Sequence, residues 1–225
     1  MHVILAILAL VAVTGLPHLW VRYTLSRHGR DRPDLPGTGG ELARHLLDRF
    51  GLSHVTVEET DLGDHYDPGG KAVRLSPRHL SGRSLAAVAV AAHEVSHAIQ
   101  DARGERLLVF WQRLEQLALA TDRLAGVFFI AAPVLALLIR SPIALFGLAA
   151  VGMALLSVRV VTSLVTLPVE IDASFSKALP ILEEGRYVAD ADMPAIRSVL
   201  RAAALTYLAV ALISFVNLAR WIRLV

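Results

Sequence analysis

Cysteine is absent from this 225-residue chain. That excludes disulfides and thiolate metal sites, so a transition metal could be held only by His, Asp or Glu. A large charge imbalance is missing too: 22 Lys and Arg stand against 20 Asp and Glu, a formal net charge of +2, which gives no bulk attraction to nucleic acid. No basic, aromatic-studded module of the RNA- or DNA-binding kinds is found, nor any internal repeat or low-complexity tract. Polarity is also scarce. The chain is 55% hydrophobic with a mean hydropathy of +0.54, too apolar for an ordinary soluble domain. Yet 19% of residues are charged, too many for spans alone. A membrane part and a water-facing part are expected.

Residues 1–21 are apolar for about the 20 residues needed to cross a bilayer core. A cleaved leader would want a basic start and a small-x-small cleavage site, and both are lacking. Trp20 and Tyr23 suit an interfacial belt, and Arg22, Arg27, Arg30 and Arg32 follow. The reading is an uncleaved first span with its basic side cytoplasmic. Residues 124–139 and 143–169 read as a transmembrane hairpin, and 201–225 as a fourth span (202–218) with a tail. A hairpin returns the chain to the side it left. Residues 22–123 and 170–200 are therefore expected together at the cytoplasmic face. The expected fold is mainly α with a small α+β part: a four-span helical membrane protein with a zincin-like catalytic region. Arg159 near the edge of the third span is explained by snorkelling.

Within 22–123, the Pro/Gly-rich stretch RDRPDLPGTGG reads as a linker. Thr38 and Glu41 form a capping box that opens a helix with Leu42, Leu46, Leu47 and Phe50 on one face, stopped by Gly51. VTVEET and KAVRLS read as strands, with DLGDHYDPGG as the turn of a short hairpin. The KAVRLS strand could offer an edge to an extended peptide. Ser84 caps a small-residue helix over 84–103, expected to be buried all round.

That helix contains HEVSH. Positions i and i+4 share a face, so His93 and His97 can both turn an imidazole nitrogen to one zinc ion. Glu94 lies about 100° round the helix, where it can take a proton from zinc-bound water and pass it to a leaving amine. This is the helix motif of zinc peptidases. A catalytic zinc needs three protein ligands and an open position. No histidine follows His97, so the third ligand should be a carboxylate. Asp101, Glu105 and Glu170 are candidates. A helix entering the core at Ile143 and rising 1.5 Å per residue reaches Glu170 after about 40 Å. That is roughly 10 Å beyond a 30 Å core, on the side of HEVSH. Glu170 is favoured, and Asp101 suits a supporting role beside His97. In DHYDP, His65 or Tyr66 could stabilise an oxyanion. The bland reading is a turn chosen for backbone shape.

With TGGELARHLL, DHYDP, VRLS, AAHEVSHAIQ and LPVEIDAS in hand, the chain resembles the YugP-type neutral zinc metallopeptidases of bacterial membranes over nearly its whole length. More loosely it resembles membrane-embedded gluzincins such as HtpX and the CAAX-prenyl proteases. The resemblance implies a metalloendopeptidase of the bacterial inner membrane with one zinc ion per chain. His93 and His97 would be ligands, Glu170 the third ligand and Glu94 the acid/base. Its partners would be the lipid bilayer and peptide, unfolded or membrane-proximal protein substrates. The family usually has HEVGH, where this chain has Ser96. The looser relatives use E-x-x-x-D, with the aspartate orienting a ligand histidine. Here Asp172 stands at +2 and Ser174 at +4. Asp172 could support a ligand, be one, or cap the helix, and the first is favoured. The rival from another class is a non-catalytic zinc-binding membrane scaffold. A transporter fits poorly, since the spans carry few ionisable groups beyond Arg159.

Overall fold

The computed structural model describes residues 2–138 and 141–205. These are mainly helical, with one three-stranded sheet. The chain divides into two compact units. One comprises Pro17–Val109 and Pro168–Thr206; the other comprises Met1–Leu16, Phe110–Leu167 and Tyr207–Val225.

The first of these holds the sheet and HEVSH. After α1 (His2–His28) the chain turns into α2 (Gly39–Arg49), and the expected capping box is there. Glu41 N–H donates to Thr38 Oγ1 at 3.2 Å, and Thr38 N–H to Glu41 Oε2 at 2.7 Å. Between them they satisfy two N–H groups that a helix start leaves bare. Ala43, Leu46 and Leu47 are buried, with Leu42 and Phe50 packed against the same core. Gly39 is where α2 runs close to its neighbours: a Cβ there would sit 2.2 Å from the His79 carbonyl oxygen.

The strands are β1 (Thr56–Glu59), β2 (His65–Asp67) and β3 (Ala72–Leu75), in the order β1-β3-β2. This corrects the expected hairpin. β1 and β3 pair parallel, and the hairpin is β2 with β3. Residues 60–71 are long enough for the crossover a parallel pair needs, and they contain β2. The tight turn is Pro68–Lys71, set by Asp67, whose Oδ1 accepts from Gly69 N–H at 2.9 Å. A second correction follows. β3 is paired on both sides, so the KAVRLS strand has no free edge; the edges belong to β1 and β2.

Next come α3 (Pro77–Leu80) and α4 (Leu85–Ala102). Helix α5 (Arg106–Leu138) follows, then α6 (Pro142–Ile171), a π-helical segment Asp172–Ala178 and α7 (Leu179–Glu184). The chain is helical again from 193 to 205, here α8. Pro180 stands two residues beyond the end of the π segment, and the carbonyl four residues before it, that of Ser176, lies inside the segment. Proline has no N–H to donate, and its ring crowds the carbonyl four residues back, so a wider turn fits there. The core is closed by α2, β3, α4, α7 and α8. Leu46, Leu47, Leu75, Leu182, Ile196 and Leu200 are each under 2% exposed. Each such burial is worth roughly 1.5–3 kcal/mol.

The other unit is helical where it is described. Val127, Ile130, Ile143 and Phe146 are each at least 70% exposed. Water penalises such a surface and hydrocarbon does not. Among the described residues, one helix, Pro142–Glu184, is long and apolar enough to cross a bilayer. It contains the expected third span. The expected first and second spans fall within α1 and α5, except for residues 1 and 139, and the fourth lies mostly outside the described residues.

Candidate active site

Helix α4 forms where Ser84 supplies a start: its Oγ accepts from Ala87 N–H at 3.1 Å. The run LAAVAVAA has small side chains, so neighbouring elements can press against every side of it. All eight are buried. His93 and His97 follow one turn apart, 4% exposed and half-buried respectively. Their Nε2 atoms lie 3.2 Å apart. Ser96, in place of the usual glycine, is fully buried and donates to the Ala92 carbonyl at 2.7 Å.

Glu170 comes in from the C-terminal end of α6. Its Oε2 is 3.1 Å from His93 Nε2 and 3.6 Å from His97 Nε2. One ligand atom from each of the three residues lies within 4.8 Å of the others. Two imidazole nitrogens and a carboxylate oxygen, converging in a buried place, are a donor set that suits zinc. The cluster also attracts positive charge. Burial alone would lower His97, but the Glu170 carboxylate outweighs it and the imidazole is pushed up to about 9. A proton or a metal ion answers the same need.

Glu94 is 7% exposed. Burial pushes its carboxyl up from the ordinary range, while His93 and His97 pull the other way. It accepts no hydrogen bond among the described residues. A buried carboxylate left this way is free to receive a proton.

Behind the cluster, each histidine's other nitrogen is engaged. His93 Nδ1 is 3.1 Å from Ser174 Oγ, which donates to the Leu200 carbonyl at 3.2 Å. His97 Nδ1 is 2.9 Å from Gln100 Oε1. The Gln100 amide N–H groups go to Asp172 Oδ2 at 2.7 Å and to the Val169 carbonyl at 3.2 Å. Asp172 is paired with Lys177, whose Nζ also lies 3.1 Å from Glu105. So Asp172 is outside the three-donor group and reaches His97 through Gln100.

Asp101 is occupied elsewhere. Its Oδ2 accepts from Tyr66 Oη and from Lys71 Nζ, both at 2.6 Å. Burial and this bond push the Tyr66 phenol above its usual range. The Tyr66 proton is thus committed to Asp101, and His65 Nδ1 donates to the Gly63 carbonyl at 2.8 Å. Reading the sequence passed over Gln100 and Lys177, and noted Ser174 without giving it a role. Two of them carried a signal: Gln100 stands at +3 from His97, and Ser174 at +4 from Glu170, so each shares its helix face.

A family model described as "Putative neutral zinc metallopeptidase" matches residues 3–225. The "Putative membrane protease YugP" of Bacillus subtilis (strain 168) is 37% identical over 189 residues, covering 83% of this chain and 80% of that protein. No solved structure matches.

Proposed function

The chain belongs to this family of neutral zinc metallopeptidases, and from that premise we propose that it is a membrane-bound zinc endopeptidase. His93, His97 and Glu170 would hold one zinc ion per chain, with Glu94 as general base and acid. The observation that carries this reading is the convergence of those three donors beside a buried carboxylate that accepts no hydrogen bond among the described residues. When bound, zinc supplies Lewis acidity and brings the pKa of water towards 7. Glu94 accepts the proton of the attacking water and delivers it to the leaving amine. His93 and His97 keep their Nδ1 protons on Ser174 and Gln100, leaving Nε2 as the donor to metal.

The proposed architecture is zincin-like, with spans at 1–21, 124–139, 143–169 and within 201–225. Catalytic residues then lie in 22–123 and 170–200 at the cytoplasmic face of a bacterial inner membrane. The exposed apolar surface and the arginines after residue 21 support this. Substrates are peptides, loops or unfolded segments that reach the membrane surface.

The test compares wild type with Glu94→Gln in detergent, measuring zinc per chain and hydrolysis of a fluorogenic unfolded protein. Near one zinc in both, with activity lost about 10²–10⁴-fold in the variant, is the expected result. Intact activity in folded Glu94→Gln overturns the mechanism. Bound zinc without hydrolysis by wild type leaves the scaffold reading.

A further inference from the structure

Gln100 is 1% exposed and sits between His97 and the π-helical segment. A buried glutamine can face either way, and its neighbours decide. On one side are Asp172 Oδ2 at 2.7 Å and the Val169 carbonyl at 3.2 Å. Both can only accept, because Asp172 is held as a carboxylate against Lys177. The NH₂ of Gln100 must therefore point there, and Oε1 must point at His97 Nδ1, 2.9 Å away. An amide oxygen only accepts, so that Nδ1 must carry a proton. In the neutral ring that a metal binds, Nε2 is then the nitrogen with the lone pair, and Nε2 faces Glu170 and His93.

We propose that Gln100, with its amide polarity set by Asp172 and Lys177, is a positioning residue that fixes the tautomer and ring orientation of His97 for metal binding. The inference rests on the zinc peptidase reading and adds the device that prepares one ligand. Lys177 is 10% exposed at its side chain and joins Asp172 to Glu105. The chain of contacts thus runs from the end of α4 through the π segment and back. It uses the wider π turn, in which residues five apart come together, as Asp172 and Lys177 do.

The test reads zinc affinity by competition with a chromophoric chelator, and the visible spectrum of the cobalt-substituted full-length protein in detergent. Wild type is measured first. Gln100→Leu keeps the volume and removes the acceptor; its zinc affinity is expected to fall about 10–100-fold, with a changed cobalt spectrum. Gln100→Glu sets two carboxylates against each other and is expected to fall likewise. Adding Asp172→Asn to Gln100→Glu restores an acceptor towards His97 and a donor towards the introduced carboxylate. That double variant is expected to recover part of the lost affinity, the Val169 carbonyl still facing an acceptor; loss of packing alone would produce no recovery. Wild-type affinity and spectrum in Gln100→Leu overturns the inference, as does a double variant no better than Gln100→Glu. Wild type that binds no zinc removes the peptidase reading itself, a separate and earlier failure.

Discussion

Ser174 Oγ lies 3.1 Å from His93 Nδ1 and passes its own proton to the Leu200 carbonyl at 3.2 Å. The hydroxyl can serve both bonds only if the imidazole donates. His93 is thereby held with its Nε2 lone pair towards Glu170. Ser174→Ala leaves the buried His93 Nδ1–H without a partner, at a cost of about 1–3 kcal/mol for an unsatisfied group. Zinc affinity is expected to drop about 10–100-fold, read by chelator competition. Unchanged affinity would show that the ring is held by packing alone.

Glu170 supplies the only carboxylate oxygen of the three-donor group among the described residues. Glu170→Ala is expected to lower zinc from near one per chain to well below it, with peptidase activity lost. The measurement is metal analysis of folded, detergent-purified protein. Near one zinc in the variant would move the third ligand to Asp172 or Asp101.

Asp64 makes the stability of the unit containing the sheet depend on pH. Burial would raise its carboxyl, but the His79 ring and the amide and hydroxyl of Ser76 outweigh that and hold it below 3.8. The His79 side chain is only 14% exposed. A folded-state pKa below the unfolded one adds stability that is full above the unfolded value. That stability drains away as pH falls through the folded value. Thermal unfolding between neutral pH and pH 3 should show the loss. Asp64→Asn should flatten the acid limb and cost about 1–3 kcal/mol at neutral pH. An unchanged acid limb would assign the dependence to other carboxylates.

Gly39→Ala forces a methyl group to 2.2 Å from the His79 oxygen and 2.9 Å from the Ala87 oxygen. Both are backbone, so α2 must move away from α4. A loss of about 1–3 kcal/mol or more is expected. Gly126→Ala meets nothing within 4 Å and gains helix propensity, by up to about 1 kcal/mol. Melting temperatures of the two variants should move in opposite directions.

Local chemistry was the legible part. The Thr38–Glu41 box and the Ser84 cap use contacts within four residues, so the sequence displays them directly. HEVSH was legible for the same reason, since one helical turn defines it. The distant Glu170 was one of three carboxylate candidates, favoured on helix rise against bilayer thickness, and its Oε2 lies 3.1 Å from His93 Nε2. The sense of the strand pairing could not be read: β1 does pair with β3, but β2, with only three residues, read as turn, and its insertion is what lets β1 and β3 run parallel. The π segment was hidden because it follows from the fit of Pro180 within a continuing helix. Lys177 was hidden because it acts through a partner 72 residues away; Gln100 shows its +3 spacing to His97, but the partners that orient its amide are 69 and 72 residues away.

The spacing along the chain also sets a clock. Glu170 lies 77 residues after His93, and Leu200 lies 26 after Ser174. At bacterial translation speeds of about 5–20 residues per second, the first gap alone takes roughly 4–15 s. While the ribosome is still making α5 and α6, HEVSH exists without its carboxylate partner. The proposed zinc site is therefore incomplete for that interval.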